Sequence, residues 1–135
     1  MLLNLLSKEE KNYFIDLLKK TITVDGPVND IEKNVISKLQ GEMGEDISKF
    51  FRFSTLTTEK LIEYFASKPK GVKNIVFYNL FSASLIDDFY SVEEHLLLEQ
   101  IQEAFGIPNK TKVELCKLVY AERDLKEKIK RMIIE

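Results

Sequence analysis

The sequence predicts an all-α domain. Apolar residues return at intervals of three and four along almost the whole chain, and the five glycines and three prolines fall between the periodic runs rather than inside them. At 135 residues the chain is one domain's worth and is long enough to bury roughly two-thirds of its unfolded surface around one core. No linker or low-complexity tract divides it, so residues 1–135 read as a single unit of about seven helices.

The elements follow in order. The first helix starts after Ser7 and turns Phe14, Leu17 and Leu18 inward. A second is predicted from residue 29 to about 44, and a short third from about 45 to 53. The fourth starts after Thr57, where Leu56 and Leu61 have the spacing of a hydrophobic staple, and ends before Pro69-Lys70-Gly71. The fifth holds Ile75, Val76, Phe77, Leu80, Phe81, Leu85, Ile86 and Phe89, and being apolar on most sides it is the expected central helix. The sixth begins at Ser91 and stops at Gly106, a left-handed C-terminal cap by expectation, with Pro108 preventing continuation. The seventh is expected from about Thr111, running toward the C-terminal end.

Within this pattern one segment recurs. At a constant offset of 62 residues, Asp25 pairs with Asp87, Glu32 with Glu94 and Gly44 with Gly106. The apolar positions Val24, Val28, Val35, Ile36, Leu39 and Met43 meet Ile86, Tyr90, Leu97, Leu98, Ile101 and Phe105. Packing alone accounts for the apolar positions; a duplicated acidic pair calls for a helix cap, an ion site or a binding surface.

Capping is the simplest account. Ser91-Val92-Glu93-Glu94 has capping-box spacing, and Asn29-Asp30-Ile31-Glu32 is the same device with Asn. The same spacing occurs outside the repeat at Ser7 with Glu10 and at Thr111 with Glu114. Yet Glu32 and Glu94 also lead inward faces, where a lone charge is costly and needs a partner. Asp25 and Asp87 end the preceding segments and face the same helix entrances, where close carboxylates repel unless a proton or cation intervenes. Calcium, magnesium and manganese favour such oxygen donors, which makes Asp25, Glu32, Asp87 and Glu94 a candidate metal set, with Asp88 and Asp30 as extra ligands. The spacing is not that of an EF-hand, because Pro27 and Phe89 stand where second ligands belong.

Other chemistry is thin. His95 is the only histidine and Cys116 the only thiol, on different helices, and neither a nucleophile motif nor a Gly-rich phosphate loop is present. His95 reads as a surface residue and Cys116 as an inert helix residue among Leu115, Leu118 and Val119. Paired carboxylates suit glycosidases, but a helical chain without Trp offers little surface for stacking a sugar. Phe50, Phe51 and Phe53 around Arg52 fit either core or an exposed aromatic patch. A net charge of −2 gives no basic field for nucleic acid. Lys126, Lys128, Lys130 and Arg131 read as a solvated face, with acid-first pairing of Glu122 with Lys126, Asp124 with Lys128 and Glu127 with Arg131. The run Met1-Leu2-Leu3-Asn4-Leu5-Leu6 is too short for a signal segment, and no apolar stretch approaches a membrane span. A cytoplasmic, soluble, non-enzymatic protein is therefore expected, since a lone cysteine forms no intrachain disulfide.

Several of these residues resemble the TerB-like family, which includes tellurite-resistance proteins and the N-terminal domain of a membrane-anchored DnaJ-like cochaperone. The resemblance is carried by Leu3-Asn4-Leu5-Leu6-Ser7 with Glu9-Glu10-Lys11, Val24-Asp25-Gly26 followed by Glu32, and Gly41-Glu42-Met43-Gly44. It continues through Leu85-Ile86-Asp87 followed by Glu93-Glu94 and Phe105-Gly106-Ile107, covering most of the chain by order and spacing. It implies a bundle of about seven helices in which the two acidic motifs approach a pseudo-two-fold axis and form a metal site at Asp25, Glu32, Asp87 and Glu94. The setting it implies is bacterial stress response and membrane-associated complexes. The chain departs from the family at Asp88, where a glycine is usual, and at Asn79, where relatives often carry an acid. Two functional expectations stand side by side: a divalent cation or protein partner bound through the duplicated acidic motif, or an interaction module whose acids only cap helices and whose binding surface is an exposed apolar groove.

Overall fold

The computed structural model describes residues 2–24, 34, 37–39, 41, 56–85 and 91–134. Among them every regular element is helical: a 3-10 turn at Leu3–Leu5, then α1 (Lys8–Ile22), α2 (Thr58–Ala66), α3 (Lys70–Leu85), α4 (Val92–Ala104) and α5 (Asn109–Ile134). Asn34, Ser37, Lys38, Leu39 and Gly41 are also helical, inside the expected second helix. The third expected helix, with Phe50, Phe51 and Phe53, lies outside the described residues.

Local chemistry accounts for the helix ends. At Ser7 the Glu10 amide donates to the hydroxyl at 3.1 Å and the Ser7 amide donates to the Glu10 carboxylate at 2.8 Å, a closed capping box. Thr57 caps α2 by accepting from the Lys60 amide at 3.2 Å. Helix α4 ends in a Schellman motif: Gly106 takes φ +66°, its amide reaches the Glu103 carbonyl at 3.0 Å, and the Ile107 amide reaches Gln102 at 3.1 Å. Buried Ile107 closes the motif on the apolar side, and the Gln102 amide donates to the Ile107 carbonyl and to Asn109, locking α4 to the start of α5.

Three expectations need correction. Helix α5 starts at Asn109 rather than about Thr111, because the Pro108 carbonyl already accepts from Lys112 at 2.9 Å; Thr111 lies inside the first turn and caps nothing with Glu114. Likewise Lys70 and Gly71 belong to α3, whose first turn closes on the Pro69 carbonyl through the Lys73 amide at 3.1 Å. Val24, counted among the repeated apolar positions, is 44% exposed, since it follows the Thr23 cap of α1 instead of continuing the buried stripe.

Helix α3 is the hub. It contacts α1, α2, α4 and α5, and buries Val76, Phe77, Leu80 and Phe81 among Phe14, Leu17, Leu18, Phe65, Leu98 and Ile101. Of the residues expected inward, Leu17, Leu39, Phe77, Leu80, Phe81, Leu97, Leu98 and Ile101 are all buried, while Val35 and Ile36 lie outside the described residues. Asn79 is buried on this helix and its amide donates to the Ile75 carbonyl at 2.8 Å. Helices α1 and α2 are further joined by the Tyr64 hydroxyl donating to Glu9 at 2.9 Å and by the edge-on Tyr13 and Tyr64 rings. No helix among the described residues is long and apolar enough to cross a membrane.

Leu98 sits 3% exposed in this core. Leu98→Ala is expected to cost about 2–5 kcal/mol in denaturant titration, the range for a large aliphatic side chain removed from a packed interior; a loss below about 0.5 kcal/mol would place it on the surface.

Candidate docking groove

Of the six acidic residues expected at a metal site, only Glu94 falls within the described residues; Asp25, Asp30, Glu32, Asp87 and Asp88 lie outside them. Glu94 is 4% exposed in the first turn of α4, and its amide donates to the Ser91 hydroxyl at 3.0 Å. The expected inward position of Glu94 is therefore observed, together with half of the capping box. Among the described residues no group of three or more His, Cys, Asp or Glu side chains is placed to hold a metal ion. His95 is exposed beside Glu99 at 3.0 Å, and Cys116 is half-buried with burial pushing its thiol pKa up against the opposing charge of Lys112. The surface position expected of His95 is observed, and a thiol pKa raised in this way lowers the thiolate fraction of Cys116.

The surface feature that the sequence reading missed is on α5. This helix has 26 residues, about 39 Å at 1.5 Å per residue, yet Val119 is its only fully buried residue. Leu115, Cys116 and Val119 rest on the core, and the helix leaves Leu118, Leu125, Ile129, Met132 and Ile133 exposed. Leu115, Leu118, Leu125, Ile129 and Met132 recur at intervals of three, four and seven, so they form one seam along the helix. Beside the proximal half of that seam, Ile75 and Tyr78 of α3 with Leu2 form the opposite wall of a groove of about 460 Å³, whose α5 wall is Leu115, Leu118, Ala121 and Leu125.

One polar clamp holds the groove. The Tyr78 hydroxyl of α3 donates to the Glu122 carboxylate of α5, which is also paired with Lys126 at 3.0 Å. Burial, then this hydrogen bond, then the carboxylate charge push the Tyr78 pKa well above its ordinary value. At Glu122, burial acts to raise the carboxyl pKa, but the hydrogen bonds from Tyr78 and Lys126 and the Lys126 charge outweigh it and hold the group below the usual carboxylate range. At neutral pH the clamp is a neutral phenol on an ionised carboxylate. Neither group is poised to exchange a proton there, so the arrangement offers apolar recognition rather than acid–base chemistry.

Glu122 and Lys126 are the one acid-first pair of the three expected on α5 that is seen; Asp124 instead lies 3.7 Å from its neighbour Arg123. No family model, curated protein or solved structure matches this chain.

Tyr78→Phe is expected to lower stability by about 1 kcal/mol at pH 7 by urea titration, the scale of one hydrogen bond to a partly exposed charged group. The Glu122 pKa is lower folded than unfolded, so its contribution is present above the unfolded value of about 4.3 and lost as pH falls through the folded one. The Tyr78 pKa is raised on folding, so its contribution is complete below about 10 and lost as pH rises through the folded value. The wild-type advantage over the Phe variant should thus be widest between about pH 5 and 9; an equal advantage at pH 3 would show that the carboxylate charge plays no part.

Proposed function

We propose that the chain is a non-enzymatic TerB-like helical domain that serves as a protein-interaction module, with the α3–α5 face as its docking surface. The observation carrying this reading is the row of exposed Leu118, Leu125, Ile129 and Met132, interrupted by Glu122, running out of an apolar groove. Contiguous exposed apolar surface is costly in water and on soluble proteins marks interaction sites. The setting proposed with it, from the sequence resemblance, is the bacterial cytoplasm under stress such as tellurite. The test is site-specific photo-crosslinking in native cells, with the crosslinker at Leu125 or, as a control on the far side of the bundle, at exposed Glu63 of α2. A discrete protein adduct is expected from position 125 and is lost when Leu118→Glu is added; the same adducts from both positions, or none from 125, would overturn the reading.

A second reading, cation binding, is favoured by the burial of Glu94. A carboxylate turned inward at 4% exposure is an oxygen donor suited to a calcium, magnesium or manganese ion, which this reading has it share with Asp25, Glu32, Asp87 and Asp88. Binding to the folded state alone should raise stability by about 2.7 kcal/mol at one hundred times the dissociation constant, and Asp25→Asn/Asp87→Asn should abolish the gain. Identical thermal melts in chelator and in millimolar concentrations of each ion would remove this reading and leave the carboxylates as caps.

A further inference from the structure

The inference here rests on the interaction-module reading and concerns the chemistry of the partner. Residues 123–134 of α5 are exposed throughout, a length of about 18 Å. At 100° per residue, Leu125, Ile129 and Met132 share one face of this stretch. Lys128 lies on one flank of that face and Lys126, paired with Glu122, on the other, with Arg131 and Lys130 farther round on the same two sides; Asp124 is the one acid of this stretch on a flank, since Glu127 falls on the opposite side. The face is therefore apolar along its middle and basic along both edges, in a chain whose net charge is −2. Toward the core the same seam enters the groove walled by Ile75 and Tyr78.

We propose that this surface binds an amphipathic α-helix of a protein partner, whose apolar stripe lies along Leu118, Leu125 and Ile129 and whose flanking positions are acidic. Three features of the surface favour this occupant. A trough between the α3 and α5 walls, continued by a seam with three-, four- and seven-residue spacing, has the shape that receives another helix. Basic flanks select acidic ones, as flanking charges do between paired helices. A second copy docked through the same seam would present edges of mixed sign, Lys126, Lys128 and Arg131 beside Glu122 and Asp124, a poorer match to basic flanks than edges that are acidic throughout. An anionic lipid surface would satisfy the basic edges, but it is broad and cannot enter the groove beside Ile75.

The test uses two fluorescein-labelled peptides that share a heptad stripe of leucines and differ in having Glu or Lys at every flanking position, titrated against the whole chain by fluorescence anisotropy. The Glu-flanked peptide is expected to bind at least about tenfold more tightly at low salt, with the preference shrinking as salt screens the flanks. Leu118→Glu/Leu125→Glu should remove binding of both peptides with the circular dichroism melt unchanged, since both side chains are more than half exposed. Lys126→Glu/Lys128→Glu should move the preference to the Lys-flanked peptide. Equal binding of the two peptides by the wild type would overturn the acidic-partner assignment while leaving the apolar docking face in place. Binding of neither peptide would overturn the helix assignment, and the crosslinking experiment then decides separately whether the face docks any protein. Two further outcomes also overturn it: binding to vesicles of three parts phosphatidylcholine to one of phosphatidylserine without binding the peptide, and a sedimentation-detected dimer that Leu125→Glu dissociates.

Discussion

Everything described in this fold leans on α3. An α-helix can serve four neighbours only if it is apolar around most of its circumference, and α3 meets that condition with Val76, Phe77, Leu80 and Phe81 on one side and the partly buried Ile75 and Tyr78 on the other. Two of its polar residues illustrate the cost of the arrangement: buried Asn79 folds its amide back onto the Ile75 carbonyl, and half-buried Tyr78 keeps its hydroxyl at the rim where Glu122 meets it. The neighbours do not depend on α3 equally. Helices α1, α2 and α4 also contact one another, whereas α5 is held chiefly through α3, by Leu115, Cys116, Val119 and the Tyr78 clamp. Among the described residues, then, α1 to α4 form a mutually packed cluster to which α5 is joined chiefly through α3.

The chemistry of the helix starts bears on how the acidic residues are understood. Ser7 with Glu10 closes a reciprocal box and is in addition approached by Lys68 at 3.6 Å, so an acid in that position serves capping and local charge balance together. Ser91 performs the first half of the same device for α4 while Glu94 is drawn to near-complete burial, deeper than the Ser7 cap requires of Glu10 at 8%. The difference between the two caps is one of depth, and depth is what turns a surface carboxylate into a group whose charge must be matched.

Much of the fold was legible because the relevant signals are local. Ser7, Thr57, Ser91 and Gly106 announce their helix ends through hydrogen bonds that span three to five residues, and the inward stripes of α1, α3 and α4 follow from period alone. The failures came where two local rules compete or where a rule ignores the environment. Pro69 and Pro108 do end the helices before them as expected, yet a proline carbonyl is free to accept the first bond of the next helix, so Gly71 lies inside α3 and α5 starts two residues before Thr111. On α5 the acid-first charge pairs suggested a solvated face, although the apolar seam between them has the same period as a core stripe. Periodicity states which side chains share a face and says nothing of whether that face meets the domain's own interior or another molecule. Buried Lys11 and Asp16 on α1 were missed for the related reason that burial depends on what packs over the helix; Asp16 is matched in part by Lys20 of the same helix at 2.7 Å.

The outer half of α5 has a thermodynamic consequence. A helical stretch of this length with no tertiary packing is close to the balance point between helix and coil, because nucleation is costly and short helices gain little from propagation alone. Its helicity is therefore held by the proximal turns it grows from and by residue propensities, including those of side chains such as Arg123 and Glu127 that face away from the seam. Any molecule that grips the seam must also complete this ordering, so part of its binding free energy is spent on the coil-to-helix transition. Affinity then becomes adjustable at positions that touch no partner: a better helix former at a solvent-facing site strengthens binding, a glycine there weakens it, and the contact surface itself stays unchanged.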